Sequence, residues 1–410
     1  MAFARKHFYL HSALLWIAVW MVFSQAACAF IADPPAGKKK DNGKLPDVIV
    51  FTNGDQLSGK FLREVSGTIV FHSDIVGDVN VSWSKVKELR SSSTFAVLEH
   101  EIGVRTLHHR GNIATGSISV ADGKIQIQSA DTSAVIPPIP VKNAQYIVDQ
   151  TTYNKQLRGN PGFFAGWNGS VTAGTTIVQA TQNQYTFTSS VALARVVPTV
   201  LWLNTRNRTT MNYSQSYGKI TDPAYIAADG TYVPSSYTKS SIYHADAERD
   251  QYFSPRFYAL VQTAFDHNYS QGLSLQQVYG GGIGWTAIKR PNQLLDFKGT
   301  LQYEKQEFYA ATDGTNQDLI GSTFSATYNL KLPRSIVFNQ QVSYLPAYNY
   351  VRAYSASETN TLLFPFYKAL SFSIGTNDSY LNDPPPAEPP TKRNSFQFTT
   401  GVTYAIRSKY

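Results

Sequence analysis

Cysteine is all but absent. Among 410 residues there is one, Cys28, and it lies in a segment expected to be removed on export. The mature chain then has no disulfides and no thiolate metal sites. Long apolar runs are missing as well. Beyond residue 29, no stretch approaches the roughly 18 uninterrupted apolar residues of a membrane-crossing helix. Removing Arg5 and Lys6 from the 36 basic residues leaves 34 against 28 acidic, or +6. No basic run continues into an aromatic-rich segment, which argues against nucleic-acid binding. A chain that enters a bilayer without an apolar helix has one architecture left, a closed barrel, because lipid cannot satisfy an open sheet edge.

Residues 1–29 carry the marks of a secretory signal peptide. Arg5 and Lys6 make its positive start, Leu10 to Phe23 are mostly apolar, and Ala27-Cys28-Ala29 is a small-residue cleavage site that leaves Phe30 first. A membrane anchor and a lipoprotein acylated at Cys28 are the rivals. Against the second, Gln25 stands where the usual motif has leucine. Residues 30–46, with Lys38-Lys39-Lys40 among proline, glycine and aspartate, read as a solvated flexible linker.

The C-terminal end is rich in pattern. From Phe396, alternate residues give Phe396, Phe398, Thr400, Val402, Tyr404, Ile406, Ser408 and Tyr410 on one face. Gln397, Thr399, Gly401, Thr403, Ala405, Arg407 and Lys409 fall on the other. This period of two is a strand with an apolar side and a wet side. The combination of Gly401, Tyr404, Ile406 and Tyr410 resembles the terminal assembly signal of bacterial outer-membrane proteins. Aromatic residues make up 13% of the chain, led by tyrosine, which suits aromatic girdles at two membrane surfaces.

The sequence predicts an all-β protein in two parts. Residues 47–150 form a small β-barrel or sandwich, in which Asn53-Gly54 marks a tight turn. Residues 151–164 form a linker with one short helix, stopped by Gly159 and Pro161. Residues 165–410 form an antiparallel up-and-down barrel of about twelve strands. Pro198, Pro255, Pro291, Pro333 and Pro365 each stand between two alternating runs, as a residue without a ladder donor should. The third strand is placed near 199–214 and both barrel termini at one end. The run from Leu345 to Ser357 is hard to divide, so ten or fourteen strands stay open.

Alternation also sorts the charges. Arg206 and Arg208 share a face; so do His244, Asp246, Glu248 and Asp250; so do Asp296, Lys298 and Glu304; Asp266 lies opposite Phe257, Val261 and Phe265. An outward lysine or arginine at mid-membrane costs about 2–4 kcal/mol, and a carboxylate somewhat less. These ten residues are therefore expected to face the lumen. Two readings fit them: a conduit whose charged wall selects solutes, or a packed interior in which acids and bases pair.

Chemistry finds little support. The run Tyr279-Gly-Gly-Gly-Ile-Gly-Trp285 lacks the lysine-serine and the helix of a phosphate loop. Gly280, Gly282 and Gly284 share one face, which suits a bend in the wall or a side chain crossing the lumen. An outer-membrane hydrolase built on His244 with Asp246 is a further alternative, but no serine is marked as its nucleophile. His108 and His109 are adjacent, so on a strand they point to opposite faces and make a poor chelate. The reading is non-enzymatic, with no cofactor and no metal.

Trp167-Asn-Gly-Ser-Val-Thr-Ala-Gly174, Ala247-Glu-Arg-Asp-Gln-Tyr-Phe253, Gly280 to Trp285 and the proline-rich segment before the last strand are similar to an uncharacterised family of salt-induced outer-membrane barrel proteins. The first hairpin departs from it, with Gln179-Ala-Thr-Gln-Asn183 in place of a Gly-Asn turn. The resemblance implies a closed outer-membrane barrel and supplies no substrate. The partners it leaves are outer-membrane lipid, the barrel-assembly machinery, and a periplasmic protein or the cell wall for the N-terminal part, which reads as periplasmic.

Overall fold

A computed structural model describes residues 46–100, 113–129, 136–158, 162–179, 183–200, 202–222, 224–226, 231–269, 272–309, 316–383 and 393–408. The export segment with Ala27 and Ala29, nearly all of the linker, His108, His109 and Tyr410 lie outside these residues.

The N-terminal part contains β1 (Asp47–Phe51), β2 (Gln56–Val65), β3 (Thr68–Ser73), β4 (Gly77–Ser82), β5 (Val86–Leu98), β6 (Ala114–Ala121), β7 (Lys124–Gln128), β8 (Ile139–Pro140) and β9 (Tyr146–Asp149). β1 pairs with both β2 and β5, and β9 also pairs with both, so four strands close a small ring. β3 and β4 extend it beyond β2, and β6 to β8 extend it beyond β5. Alternation explains the core. Ile49, Phe61, Ile69, Phe71, Leu89, Phe95, Ile118, Ile125 and Ile147 point inward and are buried. Gly54, at φ +92°, makes the β1–β2 turn that Asn53-Gly54 signalled.

A short helix, Gln150–Thr152, begins where the Asp149 carboxylate accepts the Thr152 N–H. It runs on as a π-helical turn, Tyr153–Arg158. Tyr153 and Leu157 pack with Ala96, Leu98, Tyr146 and Val148 of the small domain and with Leu203, Val200 and Trp202 of the barrel.

The barrel is built from β10 (Trp167–Gln179), β11 (Asn183–Val197), β12 (Asn207–Asp222), a two-stranded excursion β13 (Tyr225–Ile226) and β14 (Tyr232–Val233), then β15 (Ser236–Tyr252), β16 (Phe257–Asn268), β17 (Leu273–Arg290), β18 (Gln293–Phe308), β19 (Gln317–Lys331), β20 (Val337–Pro346), β21 (Tyr354–Tyr367), β22 (Leu370–Leu381) and β23 (Asn394–Ile406). Twelve of these, omitting β13 and β14, form one closed antiparallel barrel. The β10–β23 seam closes it through five registered pairs, from Gly169↔Ile406 to Ala173↔Val402. The neighbouring β10–β11 ladder has thirteen. An added Cβ on Gly401 would lie 2.4 Å from the Ala173 carbonyl oxygen, and one on Gly174 would lie 2.2 Å from that of Thr400. Both glycines let the last strand approach the first.

Two placements differ from the sequence reading. The third strand starts at Asn207 rather than near 199. Val200, Trp202 and Leu203 look like the start of a strand, but the small domain takes their apolar surface instead. Pro365 lies inside β21, beside a bulge, and the turn falls at Lys368 and Ala369.

Candidate functional site

The outer surface fixes the two faces. Val261, Phe265, Ile283, Phe297, Leu301, Phe324, Val402 and Tyr404 are exposed, while their sequence neighbours of the other parity turn inward.

The densest inward contacts gather near one end of β12 and β15 to β18. Arg208 stands directly opposite Asp250 in the β12–β15 ladder. Its Nε donates to Asp250 Oδ2 at 2.6 Å, its Nη1 to Asp296 Oδ2 at 2.7 Å, and its Nη2 to the Tyr258 hydroxyl at 3.1 Å. The two carboxylate side chains are 1% and 2% exposed, so each charge is dehydrated and depends on its partner. The guanidinium also lies 5.1 Å from the centre of the Tyr258 ring, a favourable cation–π distance. Tyr252 packs on the same ring at 4.8 Å.

β12 and β18 are not neighbours: β15, β16 and β17 intervene. Four inter-strand steps of about 4.8 Å make a wall path of roughly 19 Å, more than an arginine and an aspartate span together. The contact therefore crosses the interior, and the wall bends sharply between the two strands. Glycines allow this. The Tyr258 ring lies where a side chain on Gly284 would be, 2.1 Å from an added Cβ. A Cβ on Gly282 would lie 2.0 Å from the Gly299 carbonyl oxygen.

Further along the lumen, Lys298 Nζ donates to both oxygens of Glu248 at 2.6 and 2.7 Å. His244 stands between two carboxylates, with Nδ1 2.6 Å from Asp266 Oδ1 and Nε2 2.9 Å from Asp246 Oδ1. An imidazole donates through both nitrogens only when it carries both protons, so this geometry suits the cation. Asn212 supplies a further donor to Asp246 at 3.0 and 3.2 Å. Glu304 has amides around it: Gln276 at 2.5 Å, Gln306 at 2.6 Å and Gln302 at 3.5 Å. Lys289 lies within electrostatic range of Asp296.

Arg206 stands apart from this network. It precedes β12, and its Nη2 donates to the Gln156 carbonyl of the connecting helix at 2.8 Å. The strand starts one residue too late to aim it into the lumen. Tyr258 is the contributor that alternation missed. It sits in Phe257-Tyr-Ala-Leu-Val, where both parities are apolar and neither face is marked. Gln276, Gln302 and Gln306 were legible as polar positions on their strands, though not as partners of one carboxylate.

The opposite wall is different in kind. The inward positions of β20 and β21 are Asn339, Gln341 and Ser343, and Ser357, Thr359 and Thr361. β22 and β23 add Ser373, Asn377, Thr399 and Thr403. Gln341 and Thr359, directly opposed, are exposed although they face inward. Among the described residues no group of three or more His, Cys, Asp or Glu side chains could hold a metal ion.

Residues 171–406 match the family described as "Protein of unknown function, DUF481". Comparison with curated proteins finds no match. Among solved structures, a bacterial polysaccharide outer-membrane secretin is 10% identical with a TM-score of 0.28, covering 59% of this chain and 98% of its own. The transport unit of the autotransporter AIDA-I from Escherichia coli is also 10% identical at 0.28, covering 63% and 96%. The β-domain of the Bordetella autotransporter BrkA is 8% identical at 0.27, covering 59% and 98%. At these TM-scores the likenesses carry no argument.

Proposed function

We propose a role for this chain, which belongs to the DUF481 family of proteins of unknown function, as a non-enzymatic outer-membrane barrel that passes small hydrophilic solutes and prefers cations. The outward apolar and aromatic surface of a closed barrel supports the membrane placement, since hydrocarbon accepts such a wall and no open sheet edge. Both ends of the barrel chain meet in the β10–β23 seam, so the N-terminal domain lies at the end that carries the short turns. That end is periplasmic in bacterial outer-membrane barrels, and we read the domain as periplasmic, with a periplasmic protein or the cell wall as its partner.

One observation carries the conduit reading. Gln341 and Thr359 face inward and are nevertheless exposed. Water therefore reaches the hydroxyl and amide wall, while the ion pairs are drawn to the other side. The sign of selectivity follows from the charges. Among the described inward positions, Arg208, His244, Lys289, Lys298 and Lys331 make five cationic groups against six carboxylates, Asp246, Glu248, Asp250, Asp266, Asp296 and Glu304. The excess is one negative charge, and a net negative interior favours cations along the water-reached wall.

Planar-bilayer recording tests this. Purified protein should give steady conductance steps, and a potassium chloride gradient should give a reversal potential of cation-selective sign. Electrically silent protein that is correctly folded would instead support the packed-interior reading.

A further inference from the structure

The outward faces of β11, β12 and β15 carry no acidic residue from end to end, yet they hold two lysines that face each other. Lys219 of β12 stands directly opposite Lys239 of β15, and Tyr185 of β11 stands opposite Lys219. Parity puts all three on the outside, since Arg208 and His244, of the other parity on β12 and β15, point into the lumen. Both lysines lie close to the barrel end away from the small domain, near the end of β12 and the start of β15.

The two ammoniums rest on one ring. Lys219 Nζ lies 5.1 Å and Lys239 Nζ 5.4 Å from the centre of the Tyr237 ring, within cation–π range. Tyr185, Phe187, Tyr217 and Tyr237 are exposed on the same face, so the charges sit at the edge of an aromatic belt. Like charges directly opposite each other destabilise a sheet, and a tyrosine face brings no negative charge to offset them. Among the described residues, no carboxylate pairs with either lysine. Asp222, the nearest acid along β12, has the inward parity. Lysines elsewhere on the wall are answered: Lys298 by Glu248, and the outward Lys305 by Glu307 at 2.8 Å, with Asp318 as its ladder partner.

We propose that Lys219 and Lys239 clamp the phosphate of a lipid headgroup in the outer leaflet. The proposal rests on the membrane-barrel reading above, not on the conduit. A phosphate between the two ammoniums turns one repulsion into two attractions, and Tyr185 beside Lys219 offers a hydroxyl donor. The rings fix the source of the phosphate. Phe187 and Tyr217 form the next outward pair toward the middle of the wall. A free anion gains nothing from them, whereas a lipid lays its acyl chains along them while its head reaches the lysines. Basic groups at a bilayer surface attract anionic headgroups in this way.

Lipid retention by the full chain tests it. Protein purified in zwitterionic detergent is mixed with bisphosphorylated lipid A and read by native mass spectrometry. The parent should retain the lipid, and Lys219→Gln with Lys239→Gln should need about tenfold more of it for equal occupancy. Lys219→Arg with Lys239→Arg should bind as the parent does, and so should Lys305→Gln. Lipid A stripped of phosphate should bind the parent no better than the glutamine variant, and inorganic phosphate should not displace the bound lipid. The comparison of the two lipids on the parent needs no variant to fold. Equal retention of lipid A with and without phosphate, or equal retention by the parent and the glutamine variant, would overturn the proposal. Displacement by inorganic phosphate would overturn it in favour of a free anion. Recovery of the chain as a water-soluble protein would sink the membrane-barrel reading itself.

Discussion

Arg208 on β12 and Asp296 on β18 meet at 2.7 Å across the interior of the barrel, with three strands between them along the wall. The same guanidinium holds Asp250, so one cation is shared by two buried carboxylates. Removing it leaves both uncompensated. Arg208→Ala should destabilise the folded barrel by about 3–5 kcal/mol, read as a drop in the temperature at which the folded band converts to the unfolded band on a detergent gel. Arg208→Lys should recover part of the loss, because an ammonium does not reproduce the planar fork that reaches three partners. An unchanged transition for Arg208→Ala would show that the pairing does not hold the wall.

Gly284 should tolerate nothing larger. The Tyr258 ring occupies the space of its missing side chain, so Gly284→Ala forces the ring off Arg208, at a cost of about 1–3 kcal/mol for overpacking. Combining it with Tyr258→Ala should relieve the clash, and the double variant should lose less than the sum of the two single changes. Strict additivity in the same gel assay would count against direct contact.

The seam offers a separate test. Tyr404 faces outward beside Val171 in a ladder of only five pairs. Tyr404→Asp puts a carboxylate on that lipid-facing edge, and Gly401→Val pushes a branched side chain toward the Ala173 carbonyl. Both variants should accumulate less heat-modifiable folded protein in the outer membrane than the parent. Full assembly of either would show that the seam is not the sensitive step.

The small domain should respond to pH through Glu64. Its carboxyl is fully buried. One oxygen accepts the Gly67 N–H at 2.6 Å in the β2–β3 turn, where Ser66 and Gly67 both have positive φ. Burial raises its pKa from 4.5 to about 7, against the opposing pull of the Gly67 N–H. The folded state therefore keeps a proton that the unfolded chain releases between these values. Stability is greatest below pH 4.5, falls as pH rises toward about 7, and is flat above that. The whole window is worth about 3 kcal/mol at most. Hydrogen exchange at Phe61 and Phe71 in the full-length protein should quicken across it, and Glu64→Gln should remove the slope. A slope of the same size in Glu64→Gln would assign the effect to another group.

Much of this was readable in the chain. A period of two, repeated in about twelve runs with prolines between most of them, sets the facing and brings the strand count to between ten and fourteen, although Pro365 falls inside β21 rather than at a turn. It also placed Asp250, Asp296 and Glu248 on the polar side of their strands, because that test needs only parity. The third strand escaped for a reason that parity cannot see. Thr199-Val-Leu-Trp-Leu203 is apolar enough to open a strand, yet Trp202 packs 6.1 Å from the Tyr146 ring of the small domain. A local pattern does not say which distant surface will cover it.

The sequence by itself determined that this chain alternates into a two-faced sheet with no helix to cross a bilayer, since side-chain parity is a property of each strand alone. Tertiary structure decided which charges pair, how sharply the wall bends, and that Lys219 and Lys239 come to stand side by side on the outside. Those outcomes depend on register between strands and on which strands face one another across the lumen, and neither quantity is written in any single segment.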